Sequence, residues 1–149
     1  MINWDDVCDG CTTCSMRCTA NIKISEDEYT RIVDELRSLP RENVRRVLEQ
    51  TKELPWSEEI TYSACAFLDT TTRLCLIYPA RPLVCRLFGR VKHLPCPEEK
   101  VPADIDASRV IEAYASQPLR TFPEWMAFHG IFDYAELVGG WGEDRCFEV

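Results

Sequence analysis

Four cysteines, Cys8, Cys11, Cys14 and Cys18, fall within the first 18 residues in the spacing C-x2-C-x2-C-x3-C. A run this tight bends the chain so that successive sulfurs converge on one point, and clustered thiolates are ligands for zinc or for an iron-sulfur cluster. A second group, Cys65, Cys75, Cys85 and Cys96, is spread with nine, nine and ten residues between neighbours. Such gaps place each sulfur on its own local element. Singly, each of these would pack as a small buried hydrophobe. Together, and beside the first group, they read as a second ligand set or as the completion of the first. Around Cys85 the chain carries Arg81, Arg86, Arg90 and Lys92 and no acid between residues 81 and 93. Cations lower a thiol's pKa, and N–H donors to sulfur stabilise a cluster, so support of a metal site is the first reading of this patch. An anionic ligand or partner protein held at Arg81 and Arg86 is the second. Ordinary surface pairing is the third.

The compact run has the ligand spacing of bacterial ferredoxins, in which the fourth cysteine serves the other cluster and a proline follows it. Here Thr19 follows Cys18 and the run has no second copy. Zinc sites are more often built from paired C-x2-C knuckles, so the triple run favours an iron-sulfur cluster, of the 4Fe-4S type, over zinc. His93 stands three residues before Cys96 and offers a lesser imidazole alternative. His129, between Phe128 and Gly130, reads as a core or surface histidine. Cys146 exceeds the set of eight and reads as a free thiol.

The remaining composition narrows the class. The chain has 149 residues, nine of them cysteine, with 46% hydrophobic residues and a formal net charge of -8. One domain over 1–149 is expected at this length, with a core that needs no disulfides. Six glycines and nine prolines fit neither collagen nor low-complexity disorder, and no apolar run approaches the roughly 18 residues of a membrane span. Acids follow Met1-Ile2-Asn3-Trp4 where a secretory signal would carry bases, so a cytoplasmic location is expected. In a reducing compartment the cysteines read as metal or redox groups before disulfides. The acidic balance makes nucleic acid and anionic lipid poor partners.

The elements that must position the sulfurs are mostly helical. Ser25-Glu26-Asp27-Glu28 has the form of a capping box, and Tyr29, Ile32, Val33 and Leu36 follow at i, i+3, i+4 and i+7. After Pro40 a second helix is expected from Arg41 to Lys52, with Val44, Val47 and Leu48 inward. Residues 61 to 78 read as a small β-hairpin turning at Asp69-Thr70-Thr71-Thr72-Arg73, with Cys65 and Cys75 facing each other across it. Short helices are expected over Pro79 to Leu87 and around Ala107 to Ala115. A last one starts at Thr121-Phe122-Pro123-Glu124, with Phe122, Trp125, Phe128 and Phe132 on one inward face. The expected architecture is a mainly α, compact domain with a small hairpin, organised around cysteine-ligated metal or cluster sites.

Cys65-Ala66-Phe67-Leu68-Asp69, Cys75-Leu76-Ile77-Tyr78 and Arg81-Pro82-Leu83-Val84-Cys85-Arg86-Leu87-Phe88 follow the order C-x-F-L, C-x-I-Y and RP-x-x-CR-x-F. On these residues the sequence resembles the YkgJ-like cysteine-cluster proteins, also described as a CxxCxxCC zinc- or iron-chelating domain. The resemblance implies that eight cysteines, Cys8, Cys11, Cys14, Cys18, Cys65, Cys75, Cys85 and Cys96, are ligands for zinc, iron or an iron-sulfur cluster. That family's first motif ends in adjacent cysteines, whereas three residues separate Cys14 from Cys18 here. A flagellin lysine N-methylase resembles the same group, which implies that a relative can be an S-adenosylmethionine-dependent enzyme. Nothing in this chain resembles the glycine-rich turn of an ordinary methyltransferase.

Three functional classes follow. An accessory, electron-transfer or metal-handling protein needs only the cluster and a docking face, and is the leading reading. A cluster-dependent transferase or oxidoreductase would need an open iron position and a pocket. A zinc-stabilised interaction module would need no redox chemistry. No G-x-S-x-G, H-E-x-x-H or P-loop is present.

Overall fold

The computed structural model describes residues 18–87, 90–91, 94–95 and 106–142. Within them the chain forms six α-helices and three two-stranded antiparallel sheets. Strand β1 (Lys23–Ile24) leads straight into helix α1 (Glu26–Ser38). The capping box forms as the sequence requires, with the Ser25 N–H donating to Glu28 Oε1 at 3.0 Å and the Glu28 N–H donating to Ser25 Oγ at 3.3 Å. Acids fill the first turn and Arg37 the last, which suits the helix dipole. Tyr29, Ile32, Val33 and Leu36 are buried, as their spacing predicts.

Leu39 and Pro40 break the helix in extended geometry, and α2 (Arg41–Leu48) follows. It stops short of the expected Lys52. Beyond it Gln50 and Lys52 reach instead to the turn after Leu68, through Gln50 Nε2 to Asp69 Oδ1 at 3.1 Å and Lys52 Nζ to the Leu68 carbonyl at 2.5 Å. Tertiary hydrogen bonds have overridden a weak helical propensity. Next comes a hairpin the sequence does not announce, β2 (Glu53–Pro55) against β3 (Thr61–Ser63), with Leu54 opposite Tyr62.

The expected hairpin over 61–78 is narrower than its sequence suggests. Its arms meet at a single bridge, Leu68 with Cys75, flanked by Asp69 N–H to Leu74 O at 2.9 Å and Leu76 N–H to Phe67 O at 2.8 Å. Cys65 therefore lies beyond the paired part and does not stand opposite Cys75. Arg73 closes the turn with φ +63°, a left-handed conformation uncommon for a residue with a Cβ. A 3-10 turn (Tyr78–Ala80) and helix α3 (Leu83–Leu87) share out the residues expected to form one short helix. Strands β4 (Arg90–Val91) and β5 (Leu94–Pro95) pair with each other, and α4 (Ser108–Ala115) matches its expected span.

Strand β6 (Arg120–Thr121) pairs with β1, and α5 (Phe122–Phe128) starts from it through a second capping box, Thr121 with Glu124. Helix α6 (Tyr134–Val138) is capped by Asp133 and ends at Gly139, whose φ of +79° favours glycine. The core gathers Ile24, Tyr29, Ile32, Leu36 and Val44 with Phe67 and Ile77 from the cysteine-bearing turn and with Phe122, Trp125 and Leu137. The aromatic stripe divides. Phe122 and Trp125 are buried, while Phe128 and Phe132 are 59% and 78% exposed. The helix ends at Phe128, and the Arg120 guanidinium lies over that ring at 4.2 Å, so the outer half of the stripe faces solvent. No helix among the described residues is long and apolar enough to cross a membrane.

Candidate metal centre

Of the proposed ligands, Cys18, Cys65, Cys75 and Cys85 are among the described residues, and Cys8, Cys11, Cys14 and Cys96 lie outside them. His93, Lys92 and Cys146 also lie outside. The four described cysteines are carried on four separate pieces of chain. Cys18 is fastened to Cys65 through the backbone, the Cys65 N–H donating to the Cys18 carbonyl at 2.8 Å. A bridge between Thr19 and Ala64 and a bond from the Ala20 N–H to the Ser63 carbonyl extend that pairing. The last cysteine of the compact run thus joins the dispersed group. Cys65 opens a tight turn, closed by the Leu68 N–H on its carbonyl at 3.0 Å. Cys75 bridges to Leu68, and Cys85 occupies the middle of α3.

Their thiols share one electrostatic neighbourhood. Burial pushes Cys75 up to about 12, and the charges of Cys65 and Cys18 add to that rise. Burial likewise pushes Cys85 up to about 12, with Cys65, Cys18 and Cys75 adding to it. Cys65 is raised by burial too, but the backbone N–H groups of Phe67 and Leu68 and the Lys52 ammonium oppose the rise. The Ile77 N–H does the same for Cys75, and Arg81 for both Cys75 and Cys85. N–H groups two and three residues beyond a cysteine, turned toward its sulfur, stabilise the thiolate that a metal takes up. Among the described residues no three Cys, His, Asp or Glu side chains stand close enough together to hold a metal ion. The donor chemistry therefore fits zinc or iron, and the described thiols lie within electrostatic reach of one another rather than in a ligand set.

Polar side chains from α2 and the segment after it hold the turn between Cys65 and Cys75. Asp69, 6% exposed, accepts from Arg46 Nη2 at 3.0 Å, Gln50 Nε2 at 3.1 Å and the N–H groups of Thr71 and Thr72. Burial would raise its pKa, but these donors outweigh it and hold the carboxyl well below the usual range. Lys52 is drawn beside Cys65. Burial lowers its pKa while Cys65 and Asp69 pull it back up.

The basic patch is only partly assembled on the thiols. Arg81 donates from Nε to the Tyr78 carbonyl, lies over the Tyr78 ring at 3.7 Å, and acts on Cys75 and Cys85. Arg86 is exposed on the last turn of α3. His129 stacks on Tyr29 and pairs with Glu26 at 3.1 Å, which is the structural role expected of it. Glu28, Lys52, Asp69 and Tyr114 are the residues sequence reasoning missed. Glu28 and Asp69 had a local signal, the first in its place in the capping box and the second in opening the expected turn.

The family model described as "putative zinc- or iron-chelating domain", CxxCxxCC, matches residues 7–114. The chain belongs to this family. The CxxCxxCC match takes in all eight proposed ligands and ends within α4, so α5, α6 and Cys146 lie beyond it. Metal binding, of zinc or iron, is what membership establishes for the chain. No curated protein and no solved structure matches it.

Proposed function

We propose that the chain carries an iron-sulfur cluster, of the 4Fe-4S type, on ligands drawn from Cys8, Cys11, Cys14, Cys18, Cys65, Cys75, Cys85 and Cys96. Its role is accessory: electron transfer or metal handling for a partner. The observation that carries this reading is the shared electrostatic neighbourhood of Cys18, Cys65, Cys75 and Cys85, with the Phe67, Leu68 and Ile77 N–H groups turned to favour thiolates. Burial alone makes a poor home for ionised sulfurs at Cys65, Cys75 and Cys85, and a bound cation would supply the missing compensation. Lys52 and Arg81 provide part of it from the protein side. The chain acts as one domain in the cytoplasm, where thiols stay reduced. Arg81 and Arg86 also offer positive charge to an anionic ligand or partner.

Anaerobic purification followed by absorption spectroscopy and by iron, zinc and sulfide analysis tests the reading. A brown protein with matching iron and sulfide is expected. A colourless protein with stoichiometric zinc would replace the cluster by a zinc-stabilised interaction module on the same cysteines. Replacing Cys65 by serine should lower metal content and stability together, because site binding energy in a small metalloprotein is folding energy. Unchanged metal content in that variant would remove Cys65 from the ligand set.

A further inference from the structure

Glu28 does more than its capping box asks of it. Glu28 is 4% exposed, yet glutamate is almost never buried without partners. Its Oε1 completes the box on Ser25 and also accepts from the Tyr114 hydroxyl of α4. Its Oε2 accepts from the Leu83 N–H at 2.5 Å, 55 residues away in sequence. Leu83 is the first residue of α3, the five-residue helix whose middle residue is Cys85. A helix this short has no stability of its own, and its first N–H groups have no partner within it. An acceptor from outside fixes where it starts, and a carboxylate does so best because the N-terminal dipole favours negative charge.

We infer that Glu28 is a positioning residue for Cys85, fastening the first turn of α3 to the core so that this thiol is presented to the other three. The role of that thiol as a ligand rests on the function proposed above. Tyr114 is the second member of the device, since its hydroxyl ties α4 to the same carboxylate and its phenol lies near enough to Cys85 to feel its charge. The cap itself uses one oxygen. Among the described residues the other accepts from the Leu83 N–H. Glutamine in place of Glu28 would keep the size but offer a single acceptor oxygen, turning an amide donor toward the N–H of either Ser25 or Leu83.

The test is residue-resolved alkylation of the full chain, as purified and after chelation, for the wild type and for Glu28→Gln, Tyr114→Phe and Ser25→Ala. In Glu28→Gln the chelated protein should alkylate at Cys85 about fivefold faster or more, with Cys65 and Cys75 within about twofold of wild type, and metal affinity should fall about tenfold. Tyr114→Phe should show the same selectivity for Cys85 at smaller size, and it carries the test where Glu28→Gln fails to fold. Ser25→Ala removes the hydroxyl that caps α1 and bonds Oε1 but leaves the Oε2 bond to Leu83 in place, and it should leave the ratio of Cys85 to Cys65 unchanged. An equal rise at all three cysteines in Glu28→Gln and Tyr114→Phe, or no rise at Cys85, overturns the inference. A wild-type chain without metal would overturn the ligand reading and leave the positioning result standing, because the rates are read on metal-free protein.

Discussion

Two helices of this protein begin in the same way and end up doing different work. Ser25 with Glu28 opens α1, Thr121 with Glu124 opens α5, and the hydrogen bonds of the two boxes agree to within a few tenths of an ångström. Each follows one of the paired strands β1 and β6. Yet Ser25 and Glu28 are buried, while Glu124 is exposed. The second box closes on itself. The first sends its spare oxygen to the cysteine-bearing helix α3 and accepts a hydroxyl from α4. The comparison teaches that a local motif states where a helix starts, whereas burial decides what else its carboxylate must hold.

Metal removal should separate the two boxes most. At free metal about 1,000 times Kd the bound state gains about 4 kcal/mol, or roughly 10 °C in Tm for a chain of this size. Chelation should therefore lower Tm by about that much. Hydrogen exchange should speed up at Cys65, Leu68, Leu76 and Leu83, with the amides of α5 changed least. Equal loss at both boxes would show that the metal supports the whole fold and not the cysteine half.

The paired substitutions Glu28→Ala and Glu124→Ala come next. The first leaves the Leu83 and Ser25 N–H groups without their acceptor and the Tyr114 hydroxyl with the Lys23 carbonyl alone, and should cost roughly 3 kcal/mol in urea unfolding. The second removes an exposed carboxylate whose donor turns to water, so its midpoint should scarcely move. Comparable losses would contradict the distinction drawn between the boxes.

Acid should discriminate in the same sense. Burial would raise the Asp69 pKa, but the bonds from Arg46, Gln50 and the turn amides hold it well below its ordinary value. The native state then binds fewer protons than the unfolded one, so Asp69 contributes stability that is present above the ordinary carboxylate pKa and lost as pH falls below it. Glu124 is lowered as well, chiefly by its bonds to Thr121, with the same sign. Unfolding at pH 5 and pH 3 should show the larger loss removed by Asp69→Asn and the smaller by Glu124→Gln.

What was legible beforehand follows the same division between local and distant. The starts of α1 and α5, the buried face of α1 and the two cysteine groups could be read from types and spacing, because each is encoded within a few neighbouring residues. The early end of α2 could not, since Gln50 and Lys52 are claimed by a turn some 16 to 20 residues further on. Strand β2 was hidden because Glu53-Leu54-Pro55 holds one inward apolar residue and a proline. The cysteines were recognisable as ligands by type. That Cys18 keeps company with Cys65 is set by the pairing of Thr19 with Ala64, which no spacing rule within the compact run contains. The exposed Phe132 shows the converse failure, a periodicity that continued past the end of its helix at Phe128.

The smallest effects test whether the boxes are truly alike at the level of the cap. Ser25→Ala and Thr121→Ala each delete one side-chain acceptor facing an N3 amide at 3.3 Å, and each should cost about 1 kcal/mol. Near-equal losses in thermal unfolding would locate the whole difference between the two helices in the second oxygen of Glu28. A Ser25→Ala loss several times that of Thr121→Ala would mean instead that the buried hydroxyl, which also donates to Glu28 Oε1, shares in holding the carboxylate against α3. In that case the cap and the long-range bond to Leu83 would be one coupled network, and only a double-mutant cycle on Ser25 and Glu28 could apportion them.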